Sequence, residues 1–206
     1  MNSNIEKIKR EEQVTHVLYL HGFRSSPLSA KAQTMGQRVA KVAPDVTWWC
    51  PQLPASPIEA MQLLLSQVVT WPMNSMAVVG SSLGGFYATH LAEKLGCKAV
   101  VLNPAIQAAR DLTRAIGEQS LWHTPSESFY FKAEYVDELR ALQVQAITGP
   151  ERYYAVIAKG DEVLDWQEMS AHYPGCAGVI QEGGDHALSN FDEHLPGILR
   201  FLKLPA

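Results

Sequence analysis

The segment Gly80-Ser81-Ser82-Leu83-Gly84 fits the pattern G-x-S-x-G, and its surroundings give the match its meaning. A continuous apolar run, residues 76–79, precedes it, and a helical stretch ending near Gly96 follows. The serine therefore falls on a sharp strand-to-helix turn. Such a turn holds a hydroxyl clear of the sheet in a strained backbone conformation, and side chains two residues before and after it would collide. Gly80 and Gly84 occupy those two positions around Ser82 but not around Ser81, which makes Ser82 the candidate nucleophile. A helix N-terminus at this point also offers free N–H groups and a dipole that favour negative charge. Gly85 and Ala88 would let the helix pack closely on the sheet.

A serine hydroxyl attacks a carbonyl only when a neighbouring base takes its proton. Of seven histidines, His186 alone lies in a glycine-rich loop near the C-terminus, Gly183-Gly184-Asp185-His186-Ala187, just after an apolar run. His16 lies inside a strand, His90 on the helix after Ser82, and His172 and His194 on helix faces. His123 could line a substrate channel. Asp161, in Lys159-Gly160-Asp161-Glu162-Val163 after the strand-like YYAVIA, is the candidate acid that fixes the imidazole tautomer. Asp165 and Asp185 are weaker rivals, since Asp185 adjoins the histidine and adjacent side chains rarely face each other. Glu162 reads as a solvated residue at a helix start.

Acyl transfer also needs N–H donors aimed at the developing oxyanion, worth about 3 kcal/mol each. The expected pair is the amide of Leu83 and that of Phe23, in the loop His21-Gly22-Phe23 after the first strand. Gly22 gives that loop its freedom, and His21 is expected to tie it down. Arg24, beside it, either contacts an anionic part of a substrate or is solvated. Gly22 and Arg24 are thus the candidate substrate-binding residues.

These groups need a scaffold that brings loops from distant parts of the chain to one edge. Short apolar strands alternate with amphipathic helices, the pattern of a parallel sheet covered on both faces. Strands are predicted over 16–20, 46–50, 76–79, 99–102, 153–158 and 178–180. Helices are predicted over 29–41, 58–69, 133–142 and 195–202, the second with Ile58, Met61, Leu64, Leu65 and Val68 on its apolar face. Between Pro104 and Arg152 the alternation stops. This stretch carries Trp122, Phe129, Tyr130, Phe131 and Tyr135 and shows no clear strand. It reads as a lid, residues 105–150, inserted into a single domain of 206 residues.

Composition excludes other classes. The net charge is −4, with nothing resembling a basic face for nucleic acid. Three scattered cysteines, Cys50, Cys97 and Cys176, suit neither a disulfide framework nor zinc. The polar segment 1–13 lacks the apolar core of a signal peptide, and no run approaches the ~20 apolar residues of a membrane helix. A cytoplasmic protein without membrane insertion is the expectation. No feature of the sequence specifies an oligomeric state.

The blocks HGFRSSPLSAKA, VGSSLGGFYAT, LNPA, GDEVLD and EGGDHALSNF, spread from about Val17 to Phe201, resemble the small YqiA-like bacterial esterases of the α/β-hydrolase superfamily. The resemblance implies a compact α/β-hydrolase fold lacking its first two strands. It also implies a small-molecule ester or acyl-thioester substrate, no cofactor, and a triad of Ser82, Asp161 and His186. The residues 107–150 match much less clearly, and Arg24 stands where relatives are expected to carry a small polar residue. The rivals are a thioesterase or peptidase on the same scaffold, and a hydrolase-fold binding protein without turnover. A dehalogenase or epoxide hydrolase would place Asp at the nucleophile position.

Overall fold

The computed structural model of the protein describes residues 13–206. The reading of a polar segment over 1–13 therefore lies, Gln13 apart, outside the described residues. Six strands form one wholly parallel sheet: β1 (His16–Leu20), β2 (Thr47–Trp49), β3 (Met76–Ser81), β4 (Lys98–Leu102), β7 (Tyr153–Ala158) and β8 (Ala177–Gln181), in the order β2-β1-β3-β4-β7-β8. This is an α/β-hydrolase fold.

The central strands read as unbroken apolar runs because both faces of the sheet are covered. Alternate residues serve opposite layers. Leu18 and Leu20 of β1, Met76 and Val78 of β3, and Ala155 and Ile157 of β7 enter one core, with Met61, Leu64 and Val68 of α2 (Pro57–Val68) and Phe86 and Leu91 of α3 (Leu83–Leu95). Val17 and Tyr19, Ala77 and Val79, and Val156 and Ala158 enter the other, with Met35 and Val39 of α1 (Ala30–Val42) and Ile198 and Leu199 of α7 (Phe191–Phe201). The apolar face of α2 differs from expectation at its start: Ile58 is exposed, and Pro57 and Ala60 are buried instead.

The strand order reverses between β1 and β3, the neighbours that carry the His21–Phe23 loop and Ser82 at their carboxyl ends. Such a switch point opens a crevice above the sheet.

Residues between β4 and β7 form α4 (Ala108–Leu112), an antiparallel hairpin of β5 (Gly117–Ser120) and β6 (Ser128–Phe131), and α5 (Ala133–Leu142). The hairpin corrects the expectation that this stretch lacks strands. Its first strand, Gly-Glu-Gln-Ser, has no apolar alternation, and the pair gains its support from Phe129 and Phe131 packing edge-on against Phe23. At the other end Glu138 of α5 accepts hydrogen bonds from the Ser56 hydroxyl, 2.6 Å, and the Ile58 amide, 3.0 Å, fastening α5 to the start of α2. A seventh helix, α6 (Trp166–His172), begins at Asp165, whose carboxylate accepts the Gln167 N–H. Among the described residues no helix is long and apolar enough to cross a membrane.

Candidate active site

Ser82 stands between β3 and α3 with φ 56° and ψ −120°, a strained conformation for a residue bearing a side chain. Its amide donates to the Leu102 carbonyl, 3.0 Å, and its carbonyl accepts from Gly85 and Ala105, so neighbouring backbone holds the strain in place. The flanking glycines are steric requirements. A Cβ on Gly80 would stand 2.1 Å from the Gly84 carbonyl oxygen, and one on Gly84 would stand 2.0 Å from that of Leu20. The helix after the serine can approach the sheet only without those atoms.

His186 and Asp161 reach the serine from the far edge of the sheet. Asp161 follows β7 and His186 follows β8, and the two loops are laced by backbone: Lys159 N–H to the Gln181 carbonyl, 3.0 Å, and Gly160 N–H to that of Gly183, 2.8 Å. A Cβ on Gly160 would fall 2.4 Å from the Gly184 oxygen, which explains the glycine before the acid. Asp161 Oδ2 accepts the Nδ1–H of His186 at 2.7 Å, and the opposite ring nitrogen, Nε2, lies 3.0 Å from Ser82 Oγ. A carboxylate only accepts, so the ring proton sits on Nδ1 and Nε2 is free to accept from the hydroxyl. The Asp161 side chain is 0% exposed, and its Oδ1 accepts the amides of Val163 and Leu164, both at 2.8 Å.

Two further residues hold this loop and were not singled out as partners from the sequence. Glu162, expected to be solvated, accepts the backbone N–H of His186 at 2.9 Å. Asn103, at φ 40° after β4 and fully buried, donates to the carbonyls of Asp185, 3.0 Å, and His186, 3.3 Å, and accepts the Ala158 amide, 2.8 Å. The sequence signals were present: Glu162 adjoins the acid, and Asn103 belongs to LNPA. Asp185 turns instead to Ser189, accepting its amide at 2.9 Å and its hydroxyl at 2.6 Å. Lys31 of α1 donates from Nζ to the carbonyl of Ala187.

On the other side of Ser82, Gly22 comes so close that a Cβ there would stand 3.3 Å from the serine Cβ. His21 ties the loop down. Its Nδ1 donates to the Gly22 carbonyl, 3.0 Å, and its Nε2 accepts the Leu53 amide, 3.2 Å, while burial holds its pKa below the ordinary histidine value. The amides of Phe23 and Leu83 engage no other group among the described residues. Arg24 is half-buried and engaged. Its Nε and Nη2 donate to the carbonyl and hydroxyl of Ser120, 2.7 and 3.0 Å, and its guanidinium lies 4.0 Å from the ring centre of Trp122. The Trp122 amide donates back to the Arg24 carbonyl, 2.8 Å.

His123, exposed on the β5–β6 connection, lines a cavity of about 320 Å³ with Ser82 and His186, whereas other histidines join elements. His90 Nδ1 donates to the Leu142 carbonyl, 2.9 Å, joining α3 to α5, and His194 Nε2 lies 3.0 Å from Gln181 Oε1. Of the aromatics between β4 and β7, Phe131 is buried and Phe129 lines a cavity, whereas Trp122 and Tyr130 are 63% and 62% exposed. Ser82 and His186 open onto a cavity of about 340 Å³ walled by Leu112, Val163 and Leu164. A larger one, about 500 Å³, lies beyond Phe23 and Leu83.

Solved structures of similar fold include the alpha/beta hydrolase domain-containing protein 10 from mouse, 15% identical with a TM-score of 0.70, covering 93% of this chain and 91% of that one. A monoacylglycerol lipase from Paleococcus ferrophilus is 14% identical with a TM-score of 0.68, covering 92% of this chain and 95% of that one. Est1E from Butyrivibrio proteoclasticus is 16% identical with a TM-score of 0.62, covering 93% and 86%. At such identities the likeness speaks for the fold. Residues 16–203 match the uncharacterised protein family UPF0227, and the match spans nearly the whole chain, so the protein is a member of that family on an α/β-hydrolase fold.

Proposed function

We propose that the protein is a serine hydrolase that cleaves carboxylic esters through an acyl-enzyme. The reading is carried by the unbroken line from the Asp161 carboxylate through His186 to the Ser82 hydroxyl, at 2.7 and 3.0 Å. Ser82 Oγ attacks the ester carbonyl as its proton passes to His186 Nε2, and the carbonyl electron pair moves to oxygen. The Phe23 and Leu83 amides receive that oxyanion. Collapse of the adduct expels the alkoxide, which takes the proton from the imidazolium. Water then repeats the sequence, with His186 again as base, and releases the acid and Ser82. Asp161 stabilises the imidazolium at each step. The residues 105–150, folded over this edge, act as a lid. The esterase and lipase names among the structural neighbours point the same way.

The test is hydrolysis of a short p-nitrophenyl ester. Ser82→Ala and His186→Ala should each lower kcat by roughly 10⁴-fold or more, and a fluorophosphonate should label Ser82. Near wild-type turnover by both folded variants would refute the assignment. A panel of matched esters and acyl-thioesters ranks the leaving groups, because the same geometry can expel an alcohol or a thiol.

A further inference from the structure

The two largest cavities flank the same two amides but differ in what else they touch. Phe23, Arg24 and Leu83 line both. The cavity of about 340 Å³ also contains Ser82 and His186. The cavity of about 500 Å³ contains neither. On the proposed reaction this difference orients the substrate. The leaving group must receive its proton from His186 Nε2, so it lies on the side where that nitrogen is exposed. The acyl group is the other substituent of the same carbonyl carbon and points away from the imidazole.

We propose that the larger cavity, enclosed by the loop after β1, the segment 52–55 and the β5–β6 hairpin, is the acyl-binding site, and that it takes an uncharged apolar acyl chain. Its walls near the amides are Leu53, Pro54, Leu83, Tyr87 and Phe129, with Phe23 at the threshold. The two ring or guanidinium groups that border it are already engaged. His21 has both ring nitrogens in hydrogen bonds, and Arg24 is held by Ser120 and Trp122. Glu127, the carboxylate on this wall, is exposed to solvent. A charged acyl group would lose its water there against hydroxyls and an already engaged guanidinium, whereas an apolar chain loses only unfavourable hydration. The volume lies in the range of ordinary ligand pockets. The leaving group then lies on the side of the cavities that hold Ser82 and His186, of about 340 and 320 Å³, the first with Asp111 and Arg114 on its wall.

The assignment rests on the esterase reading, and one experiment separates the two. Ala55→Trp and, on the hairpin, Thr124→Phe each fill the larger cavity, and Ala115→Trp fills the smaller. Each folded variant is compared with wild type on p-nitrophenyl acetate, butyrate and octanoate, and on methyl and 2-naphthyl acetate. Ala55→Trp and Thr124→Phe should lower the octanoate-to-acetate ratio of kcat/KM by tenfold or more. Ala115→Trp should instead lower the 2-naphthyl-to-methyl ratio. The assignment is overturned if the acyl ratio stays within twofold in both cavity-filling variants, or if it follows Ala115→Trp. If wild type neither hydrolyses any ester nor takes a fluorophosphonate on Ser82, the esterase reading itself has failed.

Discussion

Glu162 accepts the backbone N–H of His186 while its neighbour Asp161 accepts the Nδ1–H of the same residue, so two consecutive carboxylates clamp one histidine by its main chain and by its ring. The two contacts differ in kind. Asp161 fixes the ring tautomer and, on the proposed reaction, would meet developing charge, whereas Glu162 sets only where the loop rests.

Asp161→Asn should therefore lower kcat about 10⁴-fold. Glu162→Ala should lower it about tenfold, equivalent to roughly 1.4 kcal/mol on the barrier, and Glu162→Gln, which keeps an acceptor, should recover most of that loss. The readout is kcat on a p-nitrophenyl ester together with the KM of each variant. Equal losses at the two positions would show that Glu162 does more than hold the loop.

Arg24 joins the loop that offers the Phe23 amide to the hairpin above it, through the fork on Ser120 and the stack on Trp122. Lysine keeps the charge but neither the planar fork nor the stack. Arg24→Lys should thus cost about 1–2 kcal/mol of stability, comparable with a charged hydrogen bond, and should speed tryptic cleavage within residues 114–132. Thermal melting and limited proteolysis check both; a hairpin cut no faster than in wild type would separate Arg24 from its anchoring.

Lys31 supplies a pH signature. Burial pulls its pKa down to about 8, outweighing the attraction of Asp185 and Asp161. An unfolded lysine keeps its proton to about 10.5, so between these values the unfolded chain binds more protons than the folded one. Stability contributed by this group therefore rises with pH across that window. Relative to Lys31→Met, wild type should gain melting temperature as pH is raised from about 7.5 to 10. A difference that is flat or falls with pH would contradict the assigned environment.

The parts of the fold legible in the sequence are those fixed by local chemistry. Apolar runs marked all six sheet strands, and glycines two residues either side of Ser82 marked the turn, because backbone contacts at 2.0 and 2.1 Å leave no alternative residue. His186 and Asp161, which the fold brings together beside Ser82, could be picked out because each follows a strand. What escaped depends on partners remote in the chain. The strand Gly117–Ser120 is polar and is held by its pairing with β6 and by Arg24, about a hundred residues away. Helix α6 spans only seven residues, too few to show a period. Helix α7 begins at Phe191 rather than Leu195, with Pro196 inside it. Asn103 closes its β-strand in the sequence, but its three hydrogen bonds appear only when β4, β7 and the histidine loop meet.

The imidazole hangs from β8, which pairs with β7 alone and leaves Val179 and Ile180 partly in water. An outermost ladder of this kind frays at a lower free energy than the four strands inside the sheet. For a hydrolase assembled this way, the rim would let go before the centre melts, and turnover would fade while spectroscopic signals of the whole molecule still looked native. Its working temperature would be set by one strand's grip on its single neighbour.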